Sequence, residues 1–331
     1  MAKTKITSPP APVRASISND KPFVCSGIRE DNPRDFLAAL GLLRLLHESH
    51  PRNRVTLAWD DTGSPAIRAD NSLPDDCFET LTKQLKEINE RASHPFVHHK
   101  VIKVSLDSYR SATRESLDLR THEFALAHLP AALYAAYASQ VHDAETATAN
   151  PSQFSFSNGQ AGKELLRDIR ELIQKEFSAP LLLANLKGQP DSLRDAKSFR
   201  WHPAEYRAAA YRAPDPGSNV KGDVILDYPC LNSLAFFGLT FYPVVDQLRR
   251  DFTTGFTRQA TRVGSADQFT WPIWKASLDA DELPSLLHHP TIHESPARVH
   301  SLQAMGCIRL WASRRFSADK SLYFAPATQL L

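Results

Sequence analysis

Residues 31–46, DNPRDFLAALGLLRLL, carry apolar side chains on nearly every helical face. Phe36, Leu37, Leu40, Leu43 and Leu46 recur at spacings of three and four, while Ala38, Ala39, Leu42 and Leu45 fill most of the remaining circumference, as in a helix packed on more than one side. Asn32 supplies an N-cap acceptor and Pro33 a preset helical φ where no N–H is needed, which predicts a start at residue 33. The run is shorter than the ~20 residues a bilayer demands, so it reads as the buried centre of a folded core. Gly41 costs roughly 1 kcal/mol against alanine in a helix interior, and a closely passing backbone would account for it. Arg44 interrupts the same run; its stem can lie along the core while the guanidinium emerges at an edge or pairs with an acid such as Asp60.

Outside this helix the periods alternate. A short strand is predicted at 23–28 and another at 54–61, where Val55, Leu57 and Trp59 share a face, with 64–70 returning as its hairpin partner across Asp60, Asp61 and Gly63. Residues 73–93 follow as a helix with the stripe Phe78, Leu81, Leu85 and Ile88. Alternation of Ile102, Val104 and Leu106 predicts a strand over 101–113, and the Ala-rich stretch 122–145 predicts a helix interrupted at Pro130. Residues 151–177 read as a strand, a glycine turn and an amphipathic helix with Leu165, Leu166, Ile169, Leu172 and Ile173 inward. An apolar helix at 230–244, strands at 252–258 and 268–274, a short helix at 279–287 and a hairpin at 305–324 complete the chain. The result is an α+β fold, intermixed helices and short antiparallel strands around a buried N-terminal helix, with no internal repeat.

Residues 1–22 hold lysines and prolines but no apolar segment, so they read as a disordered tail, neither secretory signal nor anchor. The remainder of the 331 residues divides into an N-terminal part, 23–177, and a C-terminal part, 178–331, or forms one continuous domain. The 39 basic and 37 acidic side chains leave a net charge of +2, which excludes a protein that coats nucleic acid with its whole surface; any such contact is local. Cys25, Cys77, Cys230 and Cys307 form no C-x-x-C pair and read as buried small hydrophobes in a reducing, cytoplasmic setting.

The motifs that carry chemistry are few. In SNGQAGKELL, Asn158 and Lys163 flank two glycines where a helix begins, which suits either a glycine cap or a phosphate contact. Two residues between the glycines and Glu164 after the lysine depart from a nucleotide-hydrolysing loop. The histidines of HPFVHHK and HHPTIHESPARVH match no helical zinc motif, and Pro290 breaks any helix between His289 and His293, so no metal or other cofactor is expected. With no G-x-S-x-G and no isolated carboxylate pair, no enzyme class is supported; a catalyst of another kind would draw on His98, His99 or His289. Basic residues interleaved with aromatics remain: Arg200, Arg207 and Arg212 among Trp201, Tyr206 and Tyr211, then Arg258 and Arg262, then Arg314, Arg315 and Lys320. Such stretches suit phosphate contact and base stacking, and equally an ordinary polar strand face.

Taken in order, NPRDFLAALGLLRLL, LAWDD, FSNGQAGKELL, FRWHPAEYRAAAYR, LNSLAFFGLTFYPV, TTGFTR, FTWPIW and LYFAPA resemble segments of a family of accessory or large-subunit-like proteins of CRISPR type I-G systems, formerly I-U, over roughly residues 23–327. The resemblance implies a non-catalytic subunit of an RNA-guided DNA-targeting complex, with other effector subunits, guide RNA or target DNA, and a helicase-nuclease as its partners. It transfers no residue-level role, and the chain lacks helicase and metal-nuclease motifs. The candidate contacts are Asn158, Lys163, Arg200, Arg207, Arg212, Arg258, Arg262, Arg314, Arg315 and Lys320. A second reading is a scaffold that recruits or regulates another defence protein without touching nucleic acid.

Overall fold

The structure, a computed structural model, describes residues 16–91, 104–122, 126–143, 147–155, 165–195, 199–203, 226–247, 250–261, 264–294, 298–318 and 321–331. Strand β1 (Phe23–Val24) leads to helix α1 (Pro33–Ser49), where Asn32 Oδ1 accepts from the Arg34 amide as a cap. The hairpin β2 (Val55–Trp59) and β3 (Pro65–Ala69) follows, then helices α2 (Cys77–Asn89), α3 (Leu106–Leu119) and α4 (Leu129–Tyr137). Next come the hairpin β4 (Ala138–Asp143) and β5 (Thr148–Pro151), and helices α5 (Leu165–Lys175) and α6 (Ala179–Leu186). Short strands β6 (Arg194–Asp195) and β7 (Leu226–Asp227) pair ahead of helix α7 (Pro229–Gly238) and the hairpin β8 (Val244–Gln247) and β9 (Arg250–Thr253). The last part holds β10 (Phe256–Thr261), β11 (Gly264–Trp274), β12 (Leu278–Asp279), helices α8 (Leu283–Leu287) and α9 (Val299–Ala304), and strands β13 (Cys307–Ala318), β14 (Ser321–Phe324) and β15 (Thr328–Gln329).

The strands form one sheet in the order β1-β3-β2-β12 and another in the order β10-β11-β13-β14, with β15 also on β13, all antiparallel. Together with the helices they make an α+β protein. Helices α1 and α7 are both almost wholly buried and cross at glycines. A methyl group on Gly41 would lie 1.8 Å from the Leu234 carbonyl oxygen, and one on Gly238 would lie 2.0 Å from the Leu37 carbonyl oxygen. This mutual backbone approach is what offsets the low helix propensity of glycine at both positions. Core contacts run through both halves of the chain: β12 pairs with β2, Trp274 Nε1 donates to the Leu57 carbonyl at 3.1 Å, and one apolar cluster extends from Ile17 to Phe324.

Several elements differ from the sequence pattern. Residues 106–119 are helical instead of extended, because Ser105 Oγ caps the Ser108 amide and Leu106, Tyr109, Ala112 and Ser116 bury one face; residues 101–103 lie outside the described residues. Pro130 sits in the first turn of α4, where proline costs nothing, and the chain extends into β4 after Tyr137. The predicted strand near residue 153 is a turn whose Phe154 packs edge-on against Phe256 and Phe269 at 4.8 and 5.0 Å. The single strand expected at 252–258 is divided by a turn in which Gly255 adopts φ +87°, a conformation that favours glycine. Of the predicted tail, residues 16–22 belong to the fold: Ile17 is fully buried and its carbonyl accepts from the Leu73 amide at 2.9 Å. No helix among the described residues is long and apolar enough to cross a membrane.

Candidate nucleic-acid interface

Strand register decides where the predicted cations go. Arg258 on β10 lies opposite Asp267 on β11, and Arg315 on β13 forms an ion pair with Asp267 while lying opposite Phe324 on β14. One residue inward, Arg314 is opposite Gln268, and one residue outward, Phe316 is opposite Tyr323 with ring centroids 6.0 Å apart. The Arg200 guanidinium stands 5.5 Å from the Tyr323 ring centroid, at a residue held at φ +65°. The pairs Thr261–Gly264 and Ala318–Ser321 close the same end of the sheet, ~13 Å from the Arg314 row at the usual rise per residue. Arg262 and Lys320 belong to the connections 262–263 and 319–320, which lie outside the described residues, as do Asn158, Lys163, Arg207 and Arg212.

The gathered arginines are not equivalent. Arg314 is exposed. Arg315 is half-buried and committed to Asp267 and to the Gln153 carbonyl, which accepts at 2.9 Å, so it braces β13 against the turn after β5. Arg200 is held on an aromatic face, the geometry in which a guanidinium keeps its charge while its position is fixed.

Two charged groups went unnoticed in the sequence or were given another partner. Arg34 is 2% exposed and donates to Asp35 Oδ1 and Asp227 Oδ1, each at 2.6 Å. Asp35 Oδ2 also accepts the Arg29 amide, and Asp227 accepts the Tyr228 amide and the Asn232 side chain. Burial opposes the Arg34 charge, but Asp227 and Asp35 outweigh it and its pKa rises; burial likewise pushes the Asp227 carboxyl up, and Arg34 more than compensates, leaving it below the usual carboxylate range. Nothing local in the sequence marks Arg34 and Asp35, because the partner that completes them, Asp227, lies 193 positions away. Arg44 pairs with Glu48 at 3.6 Å and lies 4.4 Å over the Phe241 ring, whereas Asp60 Oδ1 accepts the amides of Thr62 and Ser64 in its own turn.

All four thiols are buried and unpaired with one another. Burial pushes Cys25 and Cys77 up to about 12 and Cys307 up to about 11, so they are protonated and poor nucleophiles at neutral pH. Among the described residues no group of three or more His, Cys, Asp and Glu side chains is placed to hold a metal ion. His289 Nδ1 accepts the Thr291 amide at 3.3 Å, while His98 and His99 lie outside the described residues. Fold and site together define an α+β protein whose later sheet gathers arginines and aromatics at one end. No protein-family model matches the chain, and no curated protein matches it.

Proposed function

We propose that this chain is a non-catalytic subunit of a type I CRISPR RNA-guided DNA-targeting complex, and that it holds guide RNA or target DNA at the outer end of the β10-β11-β13-β14 sheet. The reading rests on one observation: Arg200 and Arg314, far apart in the sequence, come to the same face of one sheet end as Phe316 and Tyr323, while the alternation of strand residues turns the Arg258–Asp267–Arg315 row to the other face. Arginines neutralise backbone phosphates and aromatic faces accept unstacked bases, so such a surface binds nucleic acid through its backbone and leaves sequence reading to the guide. A near-neutral chain suits a subunit with one local contact surface, its other faces meeting other effector subunits and a helicase-nuclease in the cytoplasm.

The test is the salt dependence of binding to single-stranded RNA and to duplex DNA. Counterion release gives log affinity a slope of about −0.9 per neutralised duplex phosphate, so replacing Arg200 and Arg314 together by glutamine is expected to flatten the duplex slope by about 2. Affinity and slope unchanged by the pair would overturn the sheet end as the interface. Recovery of the chain with effector subunits and a guide RNA from native cells would support the complex; a single protein partner that persists after nuclease treatment, without RNA, would favour the scaffold.

A further inference from the structure

A groove of about 1030 Å³ opens between the second half of α1, the end of α3 and the length of α4. It is distinct from the sheet end. Arg44, Arg52 and Arg120 stand around it against two carboxylates, Glu48 and Asp281, so its walls carry an excess of positive charge before any histidine is counted. The Arg120 Nε donates to His128 Nδ1 at 3.2 Å, which steadies Arg120 beside the groove. Between the cations α4 presents Ala131, Ala132 and Ala135, small side chains that leave a low apolar wall.

Arg44 is the unusual member. Its side chain is 15% exposed, Phe241 holds the guanidinium from one side, and Glu48 is its paired acid at 3.6 Å. Its Nε is buried without a hydrogen-bond partner, and so is Nδ1 of His47, one turn along the same wall. Burial lowers the Arg44 pKa, and Glu48 and Asp281 only partly restore it. Because Nε is buried, the part of Arg44 that a ligand in the groove can meet is the exposed remainder of its guanidinium, beside Glu48. The volume, at the upper end of ordinary small-molecule sites, accommodates an anionic group together with a flat apolar body.

We infer that this groove binds a nucleotide unit, its phosphate between Arg44 and Arg120 and its base along the alanine wall of α4. The unit is either a free mononucleotide or the phosphorylated end of a strand. Calorimetric titration of the full chain with ATP, with a 5′-phosphorylated dinucleotide and with adenosine separates the sources. Binding of ATP alone assigns a free nucleotide; binding of the dinucleotide alone assigns a strand end; either supports the inference where adenosine fails to bind. Arg44→Gln and Arg120→Gln are each expected to weaken the bound ligand about tenfold or more, as loss of a charge-assisted hydrogen bond does. Arg120 is exposed, so its replacement does not threaten folding. Arg200→Gln with Arg314→Gln should leave the groove unaffected, which keeps its outcome separate from that of the sheet end. Absence of binding by both phosphorylated ligands, or binding indifferent to both groove substitutions, would overturn it.

Discussion

Arg34 and Arg44 stand ten residues apart on one helix, both largely withdrawn from water, in opposite circumstances. At the start of α1, Arg34 has two carboxylates at 2.6 Å, and those carboxylates are themselves hydrogen-bonded by Arg29, Tyr228 and Asn232. In the second half, Arg44 has one acid at 3.6 Å, an aromatic face and an unmade Nε bond on a groove wall. Burial opposes both charges; paired acids overcome it at Arg34 and fail to at Arg44, so one pKa rises and the other falls. Completeness of pairing separates a charge that clamps α1 to β7 from one that is left incompletely paired.

The largest effect that would break this comparison is expected from Arg34→Met, which leaves Asp35 and Asp227 buried without their cation. A loss of about 3–5 kcal/mol in urea denaturation is expected, the range for opening a buried ion pair. A cost near zero would remove the clamp from the account. Gly41→Ala comes next: its methyl group meets the Leu234 carbonyl, and overpacking of this kind costs about 1–3 kcal/mol, read as a lower urea midpoint with an unchanged slope.

Acidification sharpens the comparison in two stages. Burial is the main cause that lowers His202, His288 and His293, so below about 6.5 the unfolded chain binds protons that the folded chain refuses, and stability falls as pH falls. Asp227 is lowered as well; its contribution is complete above the ordinary aspartate value of about 3.9 and is lost as pH drops through its folded pKa. A melting temperature that declines from pH 7 to 5 and again below pH 4 is the expected profile. A rise on acidification to pH 5 would contradict the buried neutral histidines. The smallest effect is expected from Arg44→Met, a lower urea midpoint than the wild type but a smaller shift than either substitution above, because the cation removed has one acid at 3.6 Å and an unmade Nε bond where Arg34 has two carboxylates at 2.6 Å.

Period and caps made much of the local structure legible. The stripe Phe78, Leu81, Leu85 and Ile88 is buried in α2, and the C-terminal hairpin forms where its alternation lies. The start of α3 misled because the alternation of Ile102, Val104 and Leu106 runs past the Ser105 cap into the helix, while the rest of its buried face is built from Tyr109, Ala112 and Ser116, small or amphipathic side chains with little hydropathy signal. The sheet end was legible only as a set of residue types. Which arginines share it follows from pairing β11 with β13, strands separated by helices α8 and α9, and no local pattern encodes that register.

The sequence by itself determined that α1 is buried, where it begins, and that Gly41 marks a close approach, since these follow from side-chain periodicity and backbone chemistry within a few residues. Only the tertiary structure decided that Leu234 is the approaching backbone, that Arg34 meets Asp227 across 193 positions, and that Arg44 turns to Phe241 and Glu48 instead of Asp60. The physical reason is that burial makes a charge seek whichever partner the packing of distant elements brings within reach, and sequence distance places no limit on that choice.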